Sequence, residues 1–390
     1  MTGARSPRAE DRLASTVLDQ CLGVRSGEAV TVETWDHALP WARAFVLEAR
    51  RRGCEPTLVV EDEEAFFGSL ARPGARRIPG PPASLAEVSD AYVYLPGPEK
   101  FPRLLGLSNE ELEAVVDRHG PAWWRAARRA GLRAARVAVA IATPTAAERF
   151  GVDRDDWERE LVRASLVPPH RLARVAERLL PRLQRAKRLR LRHPNGTDLE
   201  LGLLRSPPIV EDGRVDRADR RAGRVWTQIP TGVVVALLAP GLAEGVWESN
   251  RPTYDRFSDP PVALGARFTF RRGRLREYSF DRGGSPFARA YARGGRGRDL
   301  PGAITLGINP GLHHAPEVEE IANGTVGLWL GGNDALGGRS SSRFTYLATL
   351  SGADLELDGA ALLEEGRFVP ERGVSVTRAA PPPESPPEAR

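Results

Sequence analysis

Apolar and polar residues change their spacing near residue 186. Upstream, short runs rich in β-branched residues alternate with segments whose apolar positions recur every three or four residues, the spacing that lines up one face of a helix. The runs GEAVTVET (27–34), EPTLVVED (55–62), DAYVYLPG (90–97) and RVAVAIATPT (136–145) predict four strands. Helices are expected over 12–22, 38–52, 63–70, 108–131, 154–166 and 170–185, and Ser108 with Glu111 matches a capping box at the start of the fourth. Apolar strands separated by helices are the pattern of a mainly parallel sheet covered by helices.

Downstream, strict alternation takes over. RLRLRHPNGTDLELGL (188–203) reads as a hairpin turning at Asn195-Gly196, and GARFTFRRGRLREYSF (265–280) as another turning through Arg272-Gly273. VVVALLAP, GVWESN, AITLGINP, GTVGLWLGG, RFTYLATLS and ADLELDGAAL add further strand segments, with one short helix near 285–293. The expected organisation is a flexible N-terminus (1–11), an α/β domain (12–186), a β-rich domain (187–371) and a proline-rich disordered tail (372–390).

A length of 390 residues suits two domains, because single cores stop growing at about 250–300 residues. The sequence has no uncharged apolar run of about 18 residues and no apolar N-terminal segment, so it is read as a soluble, cytoplasmic protein without a membrane partner. Cys21 and Cys54 are the only cysteines, too few for a disulfide framework and not at metal-ligand spacing. The net charge of +5 raises the question of nucleic acid. However, 51 acidic residues offset 56 basic ones, and all but Lys100 and Lys187 of the latter are arginine, a skew that reflects a GC-rich coding bias. Nucleic acid is therefore not the expected partner.

Candidate chemistry is sparse. GGNDALGG (331–338) lacks the lysine and the following helix that a phosphate loop needs, and reads as a turn between strands. Ser340, Ser341 and Ser342 have no glycine elbow and no histidine nearby, and His119, His170 and His193 stand alone. Trp35-Asp36-His37 follows a strand end, where pockets form in parallel sheets, so His37 is a candidate ligand contact. HHAPEVEE (313–320) offers His313, His314, Glu317 and Glu320, whose imidazoles and carboxylates suit zinc, iron or manganese if the loop is irregular. A solvated loop leading into a helix is the plainer reading.

Several phrases nevertheless occur in the order found in a known family. CLGVRSGEAVTVET, EARRRGCEPTLVV, NGTDLELGL, IPTGVVVALLAPGLAEGVW, LGINP, NGTVGLWLGGN and ADLELDGAALLEEGRFV together make the chain from about 12 to 370 resemble the thermophilic metallo-aminopeptidases of the aminopeptidase T type. The resemblance implies an α/β domain followed by a β-rich domain that holds two divalent ions, commonly in a dimer. Such ions activate water for peptide hydrolysis.

The same resemblance implies where the ligands should be, and there they are missing. Val233 stands where a glutamate is expected after the PTG phrase, Ala303 where a second is expected six residues before Asn309, and Gly327 where a histidine is expected. Asp334 matches an expected tyrosine, while Arg343 and Thr345 match a histidine and an aspartate. The related ring-cleaving dihydroxypyridine dioxygenases use one iron held by histidines and an aspartate near the later positions, and those are missing too. Valine, alanine and glycine side chains offer no lone pairs, whereas Arg343 could hold a carboxylate or phosphate bidentately. Arg343, Asp334 and His37 are thus the candidate ligand-binding residues, with no cofactor expected. The resulting expectation is a homodimeric, non-hydrolytic protein that binds a small peptide-like or acidic ligand or supports a partner protein. The competing expectation is an active aminopeptidase whose zinc, cobalt or manganese is held by His313, His314, Glu317, Glu320 and Asp334.

Overall fold

The computed structural model describes residues 8–70, 80–107, 111, 112, 115 and 117–370. The first half supplies strands β1 (Ala29–Trp35), β2 (Glu55–Glu61), β3 (Ala91–Tyr94) and β4 (Arg133–Val137). The second supplies β5 (Arg188–His193), β6 (Thr197–Leu203), β7 (Ile209–Glu211), β8 (Trp226–Ile229) and the long β9 (Val233–Glu248). Next come β10 (Thr253–Tyr254), β11 (Val262–Ala263), β12 (Arg267–Arg271), β13 (Arg274–Ser279) and β14 (Pro301–Gly307). β15 (Val326–Gly331), β16 (Thr345–Leu350), β17 (Asp354–Leu357), β18 (Ala360–Glu364) and β19 (Arg367–Phe368) complete the set.

Five strands form a parallel sheet in the order β2-β1-β3-β4-β8. Its two faces are covered by helices, as near-continuous apolar strands require. On one face Val30, Val32, Val93 and Val137 pack with Leu13, Leu18 and Phe45; on the other, Trp35, Tyr92, Tyr94 and Ala134 pack with Trp123, Phe150 and Leu161. The fifth strand was not foreseen, because it comes from the β-rich half: β8 pairs with β4, and the chain enters β9 at Val233, three residues after Pro230. That step joins the two sheets directly.

Twelve strands make the second sheet, along the path β16-β15-β14-β9-β6-β5-β17-β18-β19, with β7, β12 and β13 attached to its side. The expected mixture of a parallel α/β layer and a β-rich antiparallel layer is what the chain adopts. Both expected hairpins form, β5 with β6 and β12 with β13, and GGNDALGG is indeed a turn, joining β15 to β16 through a short 3-10 segment (Asp334–Leu336).

Local differences have local causes. The first helix starts at Ala9, inside the stretch read as a flexible N-terminus, and widens into a π turn over Val17–Cys21. The strand expected over 136–145 ends at Val137, because Thr143 caps a helix by accepting the Ala146 N–H and Pro144 sits at its first turn. Helix Gly120–Ala130 is shorter than expected, while Ser108 and the tail beyond residue 370 lie outside the described residues. Cys21 and Cys54 are free and buried. Among the described residues no helix is long and apolar enough to cross a membrane.

Asn309 sits where the two layers meet and is fully buried. Its Nδ2 donates to the Ala164 carbonyl (3.1 Å) and the Thr231 carbonyl (2.5 Å), and its Oδ1 accepts the Gly311 N–H at 2.8 Å. Asn309→Ala removes all three bonds and strands the Thr231 carbonyl and the Gly311 N–H, while the Ala164 carbonyl keeps the Val167 N–H. The expected loss is about 2–4 kcal/mol of unfolding free energy, read from urea titration.

Candidate functional site

β9 carries the candidate site because its alternation separates two environments. Val234, Ala236 and Leu238 enter the main core, whereas Val233, Val235 and Leu237 gather on the opposite face with Ala303. The ladders define that face in rows. Leu237, Ala303, Trp329 and Leu347 lie across β9, β14, β15 and β16, and Val235, Thr305, Gly327 and Thr349 form the next row. Glu211, Val233 and Gly307 form the third. Val233, Ala303 and Gly327 therefore occupy three adjacent strands and three successive rows of one face, as residues two apart on a strand must.

The face is packed with apolar groups. Val233, Val235, Leu237 and Ala303 are buried, and Leu204, Ile209, Trp329 and Leu336 close over them. A Cβ on Gly327 would lie 2.2 Å from Thr305 Oγ1 and 2.9 Å from Leu347 Cδ1, so a histidine here would force both neighbours to move. The Thr305 hydroxyl is itself buried without a hydrogen-bond partner among the described residues.

The other expected positions lie at or beyond the margin of this face. Thr345 pairs with Gly331 at the start of β16 and is exposed, and Arg343, two residues earlier, is exposed outside the ladder. Arg343 does not enter the packed face. Asp334 is exposed in the 3-10 turn, where its N–H bonds the Ser340 carbonyl.

His313, His314, Glu317 and Glu320 do not converge on one point. His313 is exposed, with its Nδ1 2.6 Å from Arg163 Nη2 and 3.8 Å from Glu160. His314 pairs with the buried Glu319 and lies 3.4 Å from the Tyr254 hydroxyl. Glu317, in the left-handed region at φ 65°, is clasped by Arg256. Burial opposes its charge, but the Arg256 guanidinium holds its carboxyl below the ordinary range. Glu320 is pushed up to about 7, first by burial and further by Glu319 and Glu317. Among the described residues no three histidine, cysteine or carboxylate side chains are grouped as metal ligands would be.

Sequence reading missed the polar residues at the carboxyl ends of the parallel strands. Buried Glu33 accepts hydrogen bonds from the Tyr92 hydroxyl (2.6 Å) and His119 Nε2 (2.9 Å), and Arg118 Nε lies 3.2 Å away. Arg118 also reaches Glu61 and sits over the Trp35 ring. Burial opposes the Glu33 charge, yet His119 and then Arg118 and Tyr92 hold its carboxyl below the ordinary range. His37 does belong to this end: its Nε2 is 3.1 Å from the Ala140 carbonyl, while its Nδ1 is buried without a partner, and burial lowers its pKa. The legible signal was charged and aromatic residues interrupting apolar strands, as in VTVETW and AYVY. The arginines along β5 are locally matched: Arg188 pairs with Glu200, Arg190 with Asp198 and Arg192 with Glu356.

Glu211 is a second residue that sequence reading missed. It is the carboxylate nearest Val233 in the ladder, and burial, then Asp219, raises its pKa to about 7 against the pull of Arg224. The folded chain thus keeps a proton that the unfolded chain releases. Its contribution to stability is full below the ordinary value of 4.5 and is lost as pH rises through about 7. Glu211→Gln should flatten that decline by an amount on the order of 1–3 kcal/mol, seen in denaturant titrations across the same pH window.

No family model matches the chain, and no curated protein matches it either. Solved structures do. Wild-type AmpT from Thermus thermophilus superposes with a TM-score of 0.69 at 20% identity, covering 93% of this chain and 99% of that one. The 2,5-dihydroxypyridine dioxygenase of Pseudomonas putida KT2440 gives a TM-score of 0.60 at 17% identity, covering 94% and 99%. At such identities the likeness establishes the architecture alone, and the chain has an aminopeptidase T-like fold.

Proposed function

We propose that this protein is a non-hydrolytic relative of the aminopeptidase T type, which binds a small peptide-like or acidic ligand, or supports a partner protein, without a dimetal centre. One observation carries the reading: Val233, Ala303 and Gly327, set at the positions where the family resemblance implies metal ligands, share one sheet face with Val235 and Leu237. A divalent ion needs several converging lone pairs, and at these three positions the face presents methyl groups and a glycine instead. Space is equally short, because Thr305 and Leu347 occupy the volume that a side chain on Gly327 would need.

The rival reading, relocated ligands in the 313–320 segment, gains nothing from geometry, since His314 and Glu317 are already held by Glu319 and Arg256. Protein purified with zinc, cobalt or manganese should hold less than one equivalent of metal by elemental analysis and should not hydrolyse aminoacyl p-nitroanilides. His313→Ala and His314→Ala should leave both readings unchanged. Stoichiometric metal with turnover, lost in those two variants, would overturn the proposal.

A further inference from the structure

In the parallel sheet the strand order turns between β1 and β3: from β1 the chain moves to β2 on one side, and then to β3 and β4 on the other. Open parallel sheets bind ligands beyond the carboxyl ends of their strands at such a reversal. One row near that end runs Glu33, Tyr94, Arg136, Gln228 across β1, β3, β4 and β8. Glu33 has His119 and Tyr92 at one carboxylate oxygen and the Arg118 guanidinium 3.2 Å from the other. Arg136 has no such partner of opposite charge among the described residues.

A guanidinium has five donors. Arg136 uses one of them, from Nη1 to the neutral Gln228 Oε1 at 3.1 Å, and among the described residues no carboxylate lies within ion-pair distance of it. Its side chain is only partly covered. The charged groups that act on it are Arg256, which repels it, and Glu317, which attracts it. Glu317 is already committed: Arg256 donates to it from Nε at 2.9 and 3.0 Å and from its backbone N–H at 3.2 Å. Arg256 is matched by Glu317, and Arg136 has no carboxylate partner of its own among the described residues. His37 feels Glu99 and Asp36 and, less, Arg256, and its buried Nδ1 has no hydrogen-bond partner among the described residues.

We propose that Arg136 anchors a small monocarboxylate at the carboxyl ends of β1, β3 and β4, with Arg256 flanking it. A planar carboxylate matches the free fork of a guanidinium and brings the single negative charge that the pair of arginines lacks. Phosphate would bring nearly two charges to a place with one to match. The site uses none of the residues of the β9 face, so it stands whether or not the protein hydrolyses peptides.

The test is calorimetric titration of the full chain near neutral pH with benzoate, with its neutral analogue benzamide, and with inorganic phosphate. Benzoate should bind saturably, more tightly than phosphate, and benzamide should not bind. Arg136→Gln should weaken benzoate on the order of tenfold or more. Arg136→Lys, which keeps the charge but loses the fork, should weaken it less and also covers the case in which the glutamine variant fails to fold. Arg276→Gln, an exposed arginine on β13, should leave it unchanged. No benzoate binding by the wild type, a preference for phosphate, or benzoate affinity that survives both Arg136 substitutions would overturn the proposal.

Discussion

Residues two apart on a strand lie on the same side of a sheet, and in β9 this constraint sorts one apolar run into two roles. Val234, Ala236 and Leu238 complete the main core, while Val233, Val235 and Leu237 form a second, smaller one. The strand can do both because it is paired at both ends, with β7 and β14 over Val233–Leu237 and with β6 and β12 over Ala243–Glu248. A slip of one residue would exchange the two faces, so the register of these four ladders holds the candidate site in place.

Charge is handled differently in the two layers. Around the β9 face there is little of it: Glu211, at the edge, is driven toward its neutral form. At the carboxyl ends of the parallel strands charges are retained, and around Glu33 they meet partners of opposite sign. Glu33, Tyr92, His119 and Arg118 come from β1, β3 and the segment before helix Gly120–Ala130, and each supplies what another lacks. Removing one partner from such a group costs more than the group as a whole contributes, because it leaves an uncompensated buried charge.

Much of the fold was legible in the sequence because its signals are local. Alternation and turn dipeptides placed both hairpins, and apolar runs between helices announced the parallel sheet. Strand β8 was hidden because WTQI is only four residues long and its partner, β4, is about ninety residues away in sequence; nothing local marks such a pairing. The positions Val233, Ala303 and Gly327 could be named from phrase order, and the ladders put them on one face. Arg343 was expected to matter there, yet its backbone leaves the ladder before reaching that face. Glu33, Arg136 and Glu211 escaped notice because a lone charged residue in a strand has no meaning until its lateral neighbours are known.

Strand β8 also ties the order of synthesis to the order of assembly. The parallel layer lacks its last member until residue 229 has left the ribosome, by which time β5, β6 and β7 have already emerged. A nascent chain stopped near residue 186 would carry β4 as a bare edge, with unpaired backbone groups open to any extended segment nearby. The two layers are therefore not separable beads on a string. The parallel layer is complete only once β8 has reached β4.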